Sequence, residues 1–143
     1  MATETLGQKQ ERFALALANW IVHINALGYK VRMGEVLRSD EQAEINAIGG
    51  SQRSILADEI QDRWPDLAAK IRNNTGSGIR NSLHEYKLAA DVNLFYQGQW
   101  ISDGKSPHWE KVGLIWEGYG PDYCWGGRFN DANHVSIAHD GKK

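Results

Sequence analysis

The 143-residue chain has little of several features that would define a class of protein. It has one cysteine, Cys124, which excludes an internal disulfide and a multi-cysteine zinc finger. No apolar run approaches the roughly 20 residues of a transmembrane helix, so stable membrane insertion is not expected. A secretory signal peptide has a basic stretch followed by an apolar core. Residues 1–10 are polar and lack this pattern, so no signal peptide is predicted.

The charge balance is also unremarkable. Lys and Arg together number 16, and Asp and Glu together number 18, which gives a net charge of −2. This balance provides no broad positively charged surface for nucleic acid. No nucleic-acid partner is therefore expected. The length predicts a single domain over residues 1–143, with residues 1–7 as a flexible leader. Six tryptophans predict either a well-filled core or a cleft lined by rings.

Hydrophobic spacing predicts helices and a few strands. Apolar residues recur at helical steps over 8–27 and again over 55–73, with Pro65 interrupting the second segment. A capping-box pattern at 39–42 predicts a helix to about residue 48, ended by glycines at 49 and 50. Strands are expected at 29–37, 89–95, 99–101 and 134–137.

Three further segments complete the prediction. Ser106 and Pro107 predict the start of a helix that ends near Glu117. Loops are expected at 74–78 and at the glycine-rich segment 118–127. Helices segregated around short hairpins indicate an α+β fold, with a small, mostly antiparallel sheet flanked by helices.

His84 and Asp91 are the first candidate site residues. Both side chains are good zinc ligands, but they lie seven positions apart, an odd separation that puts them on opposite faces of a regular strand. They converge only if the chain bends between them or the segment is helical. The β-rich run after Asp91 favours a bend and then a strand, on which Ala89, Asp91 and Asn93 share one face.

His134 is the second candidate, at the start of the last predicted strand. Val135 and Ile137 would face the core there, so His134 and Ser136 would point the other way. Asp131 precedes His134 by three residues. Three protein ligands leave zinc a fourth position for water, whose pKa zinc lowers to about 7, and a nearby carboxylate can accept and return the proton.

The first segment resembles a motif of zinc peptidases, Ser-x-His-x-x-Gly-x-Ala-x-Asp. That family includes bacterial D-Ala-D-Ala dipeptidases and carboxypeptidases and phage L-alanyl-D-glutamate endolysins. Ser82, His84, Ala89 and Asp91 match the motif, and Lys87 replaces its glycine. Glycine would ease a bend with positive φ, so the lysine predicts a locally different turn.

Four other segments extend the resemblance to about residues 30–137. Asp131 and His134 match the second family motif, an acidic residue three positions before a histidine. Arg38 and Ser39 with Gln42 resemble an Arg-Ser-x-x-x-Gln stretch of the family, with two spacers here instead of three. The runs 91–95 and 125–129 are similar to the small phage or prophage members.

The resemblance implies a role for each matched residue. His84, Asp91 and His134 would bind zinc, and Asp131 would be the general base and acid. Arg38 would be catalytic or substrate-binding, because a fixed guanidinium can steady a polarised carbonyl oxygen or a substrate carboxylate.

Three residues outside that set have weaker assignments. Ser82 would hydrogen-bond near the metal and substrate. Trp125 would be either core or a wall of the substrate cleft. Cys124 is expected to be a small buried or partly exposed thiol rather than a nucleophile, because it has no evident base partner.

The implied function is hydrolysis of an amide bond in the peptidoglycan stem peptide by a monomer. An L-alanyl-D-glutamate endopeptidase of a phage or prophage is favoured, and a D-Ala-D-Ala carboxypeptidase is the alternative. A missing signal peptide fits synthesis in the host cytoplasm and release to the wall by another factor, such as a holin. Two rivals are a non-catalytic zinc-containing wall-binding module and a closed structural zinc site with His108 as fourth ligand.

Overall fold

The computed structural model describes residues 3–39, 50–73 and 82–143. The chain folds into two compact units, the first formed by Met1–Leu37 with Leu83–Lys143 and the second by Arg38–Ser82. The predicted loop at 74–78 and nearly all of the predicted capping box and helix at 39–48 lie outside the described residues. The single domain over 1–143 stays a prediction.

The first unit contains an antiparallel sheet, which confirms the predicted α+β class. The strand order is β1-β2-β5-β4, and β3 pairs with β2 beside this path. The strands are β1 (Tyr29–Met33), β2 (Ala89–Tyr96), β3 (Gln99–Trp100), β4 (Tyr123–Trp125) and β5 (His134–Ile137).

Both β5 and β3 lie along the same edge of β2, at opposite ends of the strand. β5 pairs with Ala89, Ala90 and Asp91, and β3 pairs with Phe95 and Tyr96. The opposite edge of β2 is occupied by β1. The pairing pattern therefore leaves a gap between β5 and β3, at the middle of β2.

Helix α1 (Leu6–Ala26) begins two residues before the predicted start. Thr5 is its N-cap, and its side chain accepts a hydrogen bond from the Gln8 backbone N–H at 3.2 Å. The Gln8 side chain in turn accepts from the Thr5 backbone N–H at 2.9 Å, which completes a capping box. Leu6 and Gly7 therefore belong to the helix, which corrects the predicted leader of residues 1–7.

The other helices follow the sequence with one correction. Helices α2 (Gly50–Ile60) and α3 (Pro65–Arg72) lie in the second unit and α4 (Pro107–Glu117) lies in the first. Gly50 begins α2 five residues before the predicted helical segment at 55–73, and the predicted end of the preceding helix lies outside the described residues. Pro65 starts α3, as expected of a residue that suits the first helical turn. None of the described helices is both long and apolar enough to cross a membrane.

Four of the six tryptophans are buried in the core of the first unit. Each of the four donates its indole N–H to a backbone carbonyl oxygen, at 2.8 to 3.0 Å. The pairs are Trp20 with Val112, Trp109 with Ile101, Trp116 with Ser136, and Trp125 with Ala132. A buried indole N–H needs such a partner, and all four have one. The tryptophans therefore fill the core, which is the first of the two predicted alternatives.

The predicted loop over 118–127 contains regular structure instead. Tyr123–Trp125 forms β4, and a 3₁₀ helix follows at Gly126–Phe129. The partner of β4 is β5, about a dozen residues further along the chain. The glycine-rich composition of residues 118–127 does not predict this strand, because the strand depends on hydrogen bonds to residues that are distant in the sequence.

Candidate metal centre

A tight bend brings His84 toward β2. The Leu88 backbone N–H donates to the Leu83 carbonyl oxygen at 2.9 Å, and the Lys87 N–H donates to the His84 carbonyl oxygen at 3.2 Å. These two bonds, with Lys87 at φ 56°, form a Schellman motif, and the buried Leu83 and Leu88 supply its usual hydrophobic pair. The bend predicted between His84 and Asp91 is therefore present.

Lys87 adopts the conformation that the motif glycine would favour. Its φ of 56° lies in the left-handed region, which costs an L-residue free energy. The expectation of a locally different turn at Lys87 is therefore wrong. The other bonds of the bend and the burial of its two leucines hold the lysine in this conformation.

Asp91 and His134 face each other across β2 and β5. The Asp91 backbone is fixed on its other side, where it accepts from the Gly34 N–H and donates to the Glu35 carbonyl oxygen, both at 2.7 Å. His134 is 7% exposed, and its backbone N–H donates to the Asp131 carbonyl oxygen at 3.0 Å. Both side chains thus come from rigid strands.

The three predicted ligands converge. His84 Nε2 lies 3.3 Å and His134 Nδ1 lies 3.2 Å from Asp91 Oδ1. One ligand atom from each residue lies within 4.8 Å of the other two, which is close enough to hold one metal ion. In the part of the chain that the structure describes, this cluster has three members and no fourth ligand closes it.

The chemistry of these donors fits zinc. Two imidazole nitrogens and one carboxylate oxygen are ligands that zinc prefers, and three protein ligands are typical of catalytic sites. The other ring nitrogens, His84 Nδ1 and His134 Nε2, are buried and have no hydrogen-bond partner among residues 3–39, 50–73 and 82–143. Each imidazole is therefore held through the nitrogen that faces the cluster.

The electrostatics keep Asp91 ionised. Burial of the Asp91 carboxyl opposes ionisation, but hydrogen bonds from His134 and His84 outweigh it and lower the pKa to about 2. An ionised carboxylate is the form that binds a metal ion. Asp91 is thus ready as a ligand across the neutral pH range.

Asp131 lies beside the cluster without joining it. Its Oδ2 is 3.8 Å from His134 Nδ1, and its side chain is 49% exposed. Partial burial raises the pKa of Asp131 above its ordinary value, with the histidines opposing this shift and the Asp91 charge adding to it. An accessible carboxyl with a raised pKa is suited to accepting and returning a proton.

Gly126 allows the loop before β5 to approach closely. Its carbonyl oxygen accepts from the Asp131 N–H at 2.8 Å. A Cβ atom at Gly126 would overlap the Asp131 carbonyl oxygen and come within 2.8 Å of His134 Cβ. The sequence pattern predicts only a loop over 118–127, although two adjacent glycines this near a candidate ligand are a usable signal of a close approach.

Trp125 supports this loop from the core side. The indole is 7% exposed and donates to the Ala132 carbonyl oxygen. Cβ atoms at Gly113 and at Gly127 would both overlap its ring, so the indole fills the space that the two glycines leave. The buried position favours the core alternative for Trp125 over a wall of the substrate cleft.

Four other residues singled out in the sequence have separate outcomes. Arg38 and Ser82 are half-buried members of the second unit, so their roles at the metal centre stay predictions. His108 is not part of the cluster, since its Nδ1 lies 2.8 Å from the Tyr29 hydroxyl. Burial raises the pKa of the half-buried Cys124 thiol, which disfavours a nucleophilic thiolate.

A cleft of about 260 Å³ adjoins Asp131. It occupies the gap between β5 and β3, along the middle of β2. Its lining includes Asn93, Trp100 and Asn133 together with Asp131. Sequence reasoning placed Asn93 on the same face as Asp91 but did not identify Trp100 or Asn133, because the cleft depends on strand pairing.

An open His/Asp/His cluster beside an accessible carboxyl, on an antiparallel sheet, defines the class of a candidate single-metal hydrolase. Residues 75–137 match an M15 peptidase family model described as D-alanyl-D-alanine carboxypeptidase. The matched segment contains the three cluster residues and Asp131. The match suggests a peptidase that acts on peptidoglycan, in agreement with the resemblance found in the motifs. No curated protein matches the chain.

Proposed function

We propose that this protein is a zinc-dependent peptidase that hydrolyses the L-alanyl-D-glutamate bond of peptidoglycan stem peptides, as a phage or prophage endolysin does. The observation that carries the proposal is the convergence of His84 Nε2, Asp91 Oδ1 and His134 Nδ1 beside Asp131. These residues lie within the segment that matches the peptidase family model.

Each residue has a task in the reaction. His84, Asp91 and His134 would hold the zinc ion, which supplies Lewis-acid activation of a water molecule and of the scissile carbonyl. Asp131 would take a proton on its carboxyl at the start of the reaction and deliver it to the leaving amine. Its partial exposure and raised pKa suit both halves of this task.

Two observations favour the endopeptidase. The runs at 91–95 and 125–129 are similar to small phage members. The residues that line the cleft beside Asp131 include no Lys, Arg or His, so within the described residues the cleft offers no cation for a terminal carboxylate. The second candidate is a D-Ala-D-Ala carboxypeptidase, which the description of the matched family model favours.

The proposal includes a setting. The protein would be made in the cytoplasm of a bacterial host without a signal peptide and would act at the cell wall after release. It would act as a monomer, because one chain supplies all three metal ligands and Asp131.

The test is digestion of purified Gram-negative-type peptidoglycan, with and without a chelator, followed by mass spectrometry of the products. Chelator-sensitive products with a new amino-terminal D-Glu are expected. Loss of the terminal D-Ala alone would establish the carboxypeptidase instead. Products that resist the chelator would contradict the assigned metal chemistry.

A separate measurement addresses the non-catalytic wall-binding module. Zinc content by elemental analysis should be near one ion per chain, and should fall sharply in His84→Ala, because one of three ligands is lost. His23→Ala removes an exposed histidine of α1 and serves as the matched control. A zinc-loaded, folded protein that cleaves no wall bond would favour the binding module.

A further inference from the structure

The cleft beside Asp131 has a chemical character of its own. It lies where one edge of β2 has no strand partner, opposite the edge that pairs with β1. This stretch runs between the Val92 N–H, which donates to the Asn133 carbonyl oxygen, and the Leu94 carbonyl oxygen, which accepts from the Ile101 N–H. Asp131 is one of its lining residues, so the cleft adjoins the proposed proton-transfer group. A group bound there would be adjacent to the bond under attack.

The lining is polar and almost uncharged. Asn93, Asn130 and Asn133 supply three side-chain amides, and Ser102 supplies a hydroxyl. Among the described residues, none of the three amides has a hydrogen-bond partner in the protein. Each amide can both donate and accept, so the cleft matches a ligand that carries hydroxyl and amide groups and no charge.

Trp100 adds a flat apolar face to this polar lining. Its side chain is 60% exposed, in contrast to the four buried tryptophans. It lies on β3, just beyond the hairpin turn at Gln97 and Gly98, both of which have positive φ. The tight turn fixes β3 against β2, and so holds the indole at the cleft instead of leaving it on a loose loop.

We propose that this cleft is a subsite for an uncharged N-acetylated sugar ring attached to the peptide being cut. One ring face would pack on Trp100, while hydroxyl and acetamido groups would hydrogen-bond to the asparagine amides. The volume of about 260 Å³ is slightly below that of ordinary ligand pockets, which suits one ring and not a whole muropeptide.

This inference rests on the proposed function and makes it more specific. In peptidoglycan only the lactyl group and L-Ala separate the muramic acid ring from the L-Ala–D-Glu bond, whereas the terminal D-Ala lies at the far end of the stem. A sugar subsite adjacent to Asp131 is therefore compatible with the first bond and not with the second. The substrate class is a muramyl peptide and not a free peptide.

The kinetic test compares two matched substrates of the zinc-loaded protein. One is a stem peptide whose L-Ala carries N-acetylmuramic acid, and the other carries a simple acetyl group at the same nitrogen. The wild type should prefer the first in kcat/KM. Trp100→Ala should reduce this preference by about tenfold, which is the upper end of the effect expected when one aromatic contact is lost. Trp100→Phe keeps an aromatic ring and should retain part of the preference.

Trp64→Ala is the matched control. Trp64 is also well exposed, at 49%, but does not line the cleft, so this variant should retain the wild-type preference. Equal kcat/KM for the two substrates in the wild type would overturn the subsite. So would a preference that Trp100→Ala leaves unchanged.

A binding measurement separates this proposal from the proposed function. N-acetylmuramoyl-L-alanine is titrated into the metal-free protein, and the indole N–H resonances are followed by NMR, with that of Trp100 identified by its loss in Trp100→Ala. The Trp100 resonance should shift with this ligand and stay in place with N-acetyl-L-alanine. If peptide bonds remain uncut but this shift occurs, the peptidase proposal fails and the subsite stands. If cleavage occurs without this shift, or with equal shifts for both ligands, the subsite fails alone.

Discussion

Asp131 differs from Asp91 and His134 in two ways. Its carboxyl is accessible to solvent, and the residue lies in a loop and not in a strand. It lies 3.8 Å from His134 but outside the group that could hold the metal ion. A substitution of Asp131 can therefore test proton transfer without removing a candidate metal ligand.

Asp131→Asn should lower kcat by about 10² to 10⁴, because the amide keeps the shape of the side chain but cannot accept the proton. Zinc content should stay at the wild-type level, since the three ligands are unchanged. Cleavage of a stem peptide and elemental analysis measure the two quantities. Asp62→Asn, which changes an exposed aspartate of the second unit, controls for the altered charge. Activity above a tenth of wild type would remove Asp131 from the base role.

Lys87 gives a second prediction at the residue scale. Its φ of 56° is one that glycine adopts at little cost. Lys87→Gly should therefore raise the free energy of unfolding by about 1 kcal/mol. The substitution relieves the backbone strain of the folded state, and the greater flexibility that glycine gives the unfolded chain offsets part of this gain.

Urea denaturation measures this change. Lys105→Gly is the matched control, because Lys105 is exposed and does not have a positive φ. That variant should be neutral or destabilised. Equal effects of the two substitutions would show that the bend at Lys87 carries no strain.

The members of the cluster that could hold a metal ion were predictable from sequence, but the conformation that brings them together was only partly so. The odd separation of His84 and Asp91 required a bend, and the structure has one. The detail at Lys87 was not predictable, because the energy that holds a lysine at positive φ comes from burial of Leu83 and Leu88, which single-residue preference does not include.

At the scale of elements, β5 and the loop before it position His134 and Asp131 at the candidate metal centre. The Asp131 N–H donates to the Gly126 carbonyl oxygen, and the His134 N–H donates to the Asp131 carbonyl oxygen. The 3₁₀ helix ends at Phe129 and is capped by Asn130, whose φ of 62° suits asparagine better than most residues. The loop therefore has few alternative conformations.

Gly126→Ala should displace this loop, because the added methyl group overlaps the Asp131 carbonyl oxygen. We expect a loss of about 1–3 kcal/mol in the free energy of unfolding, the usual cost of overpacking, together with weaker zinc binding. Urea denaturation and zinc titration measure the two effects.

Gly7→Ala in α1 is the matched control, since nothing lies within 4 Å of the added methyl group. It should be neutral or raise stability by up to about 1 kcal/mol, because alanine is the better helix former. Wild-type zinc affinity in Gly126→Ala would disprove the close approach at this loop.

Elements with a strong local pattern were predictable, and those that depend on distant partners were not. Helix α4 begins at Pro107 and ends at Glu117 as its cap and spacing indicate. β4 has only three residues next to a glycine-rich run, and its existence depends on pairing with β5. The cleft was missed for the same reason, because it is a gap between strand pairings.

At the largest scale, Arg12 connects distant parts of the first unit. Its guanidinium bonds both Glu4 oxygens at 2.9 Å and lies 2.7 Å from Asp122 Oδ2. Burial opposes ionisation of Asp122, but the hydrogen bond from Arg12 outweighs it and holds the pKa below the ordinary 3.8. The pair therefore stabilises the fold when the carboxyl is ionised.

The sign of the pH dependence follows from this lowered pKa. The stabilisation is fully present above the ordinary value of 3.8 and is lost as the pH falls through the lower folded value. Because the groups are about one-third exposed, solvent screening limits the pair to about 1 kcal/mol or less. Arg12→Gln should lose this amount at pH 7, and the difference from wild type should shrink by pH 2.

A double-mutant cycle with Asp122→Asn, measured by urea denaturation at both pH values, isolates the pair. The coupling free energy should be present at pH 7 and close to zero at pH 2. A coupling that is the same at both values would mean that Arg12 acts through packing, such as its position 5.4 Å over the Tyr123 ring, and not through charge.

The buried indole of Trp125 has an optical consequence. Its N–H is bonded to the Ala132 carbonyl oxygen, two residues before His134, and its ring fits between Gly113 and Gly127. A shift of the loop would change the hydrogen bond and the electric field at this chromophore. The chain thus carries a native fluorophore beside its candidate metal centre, and emission spectra would follow the loop during a metal titration without any attached dye.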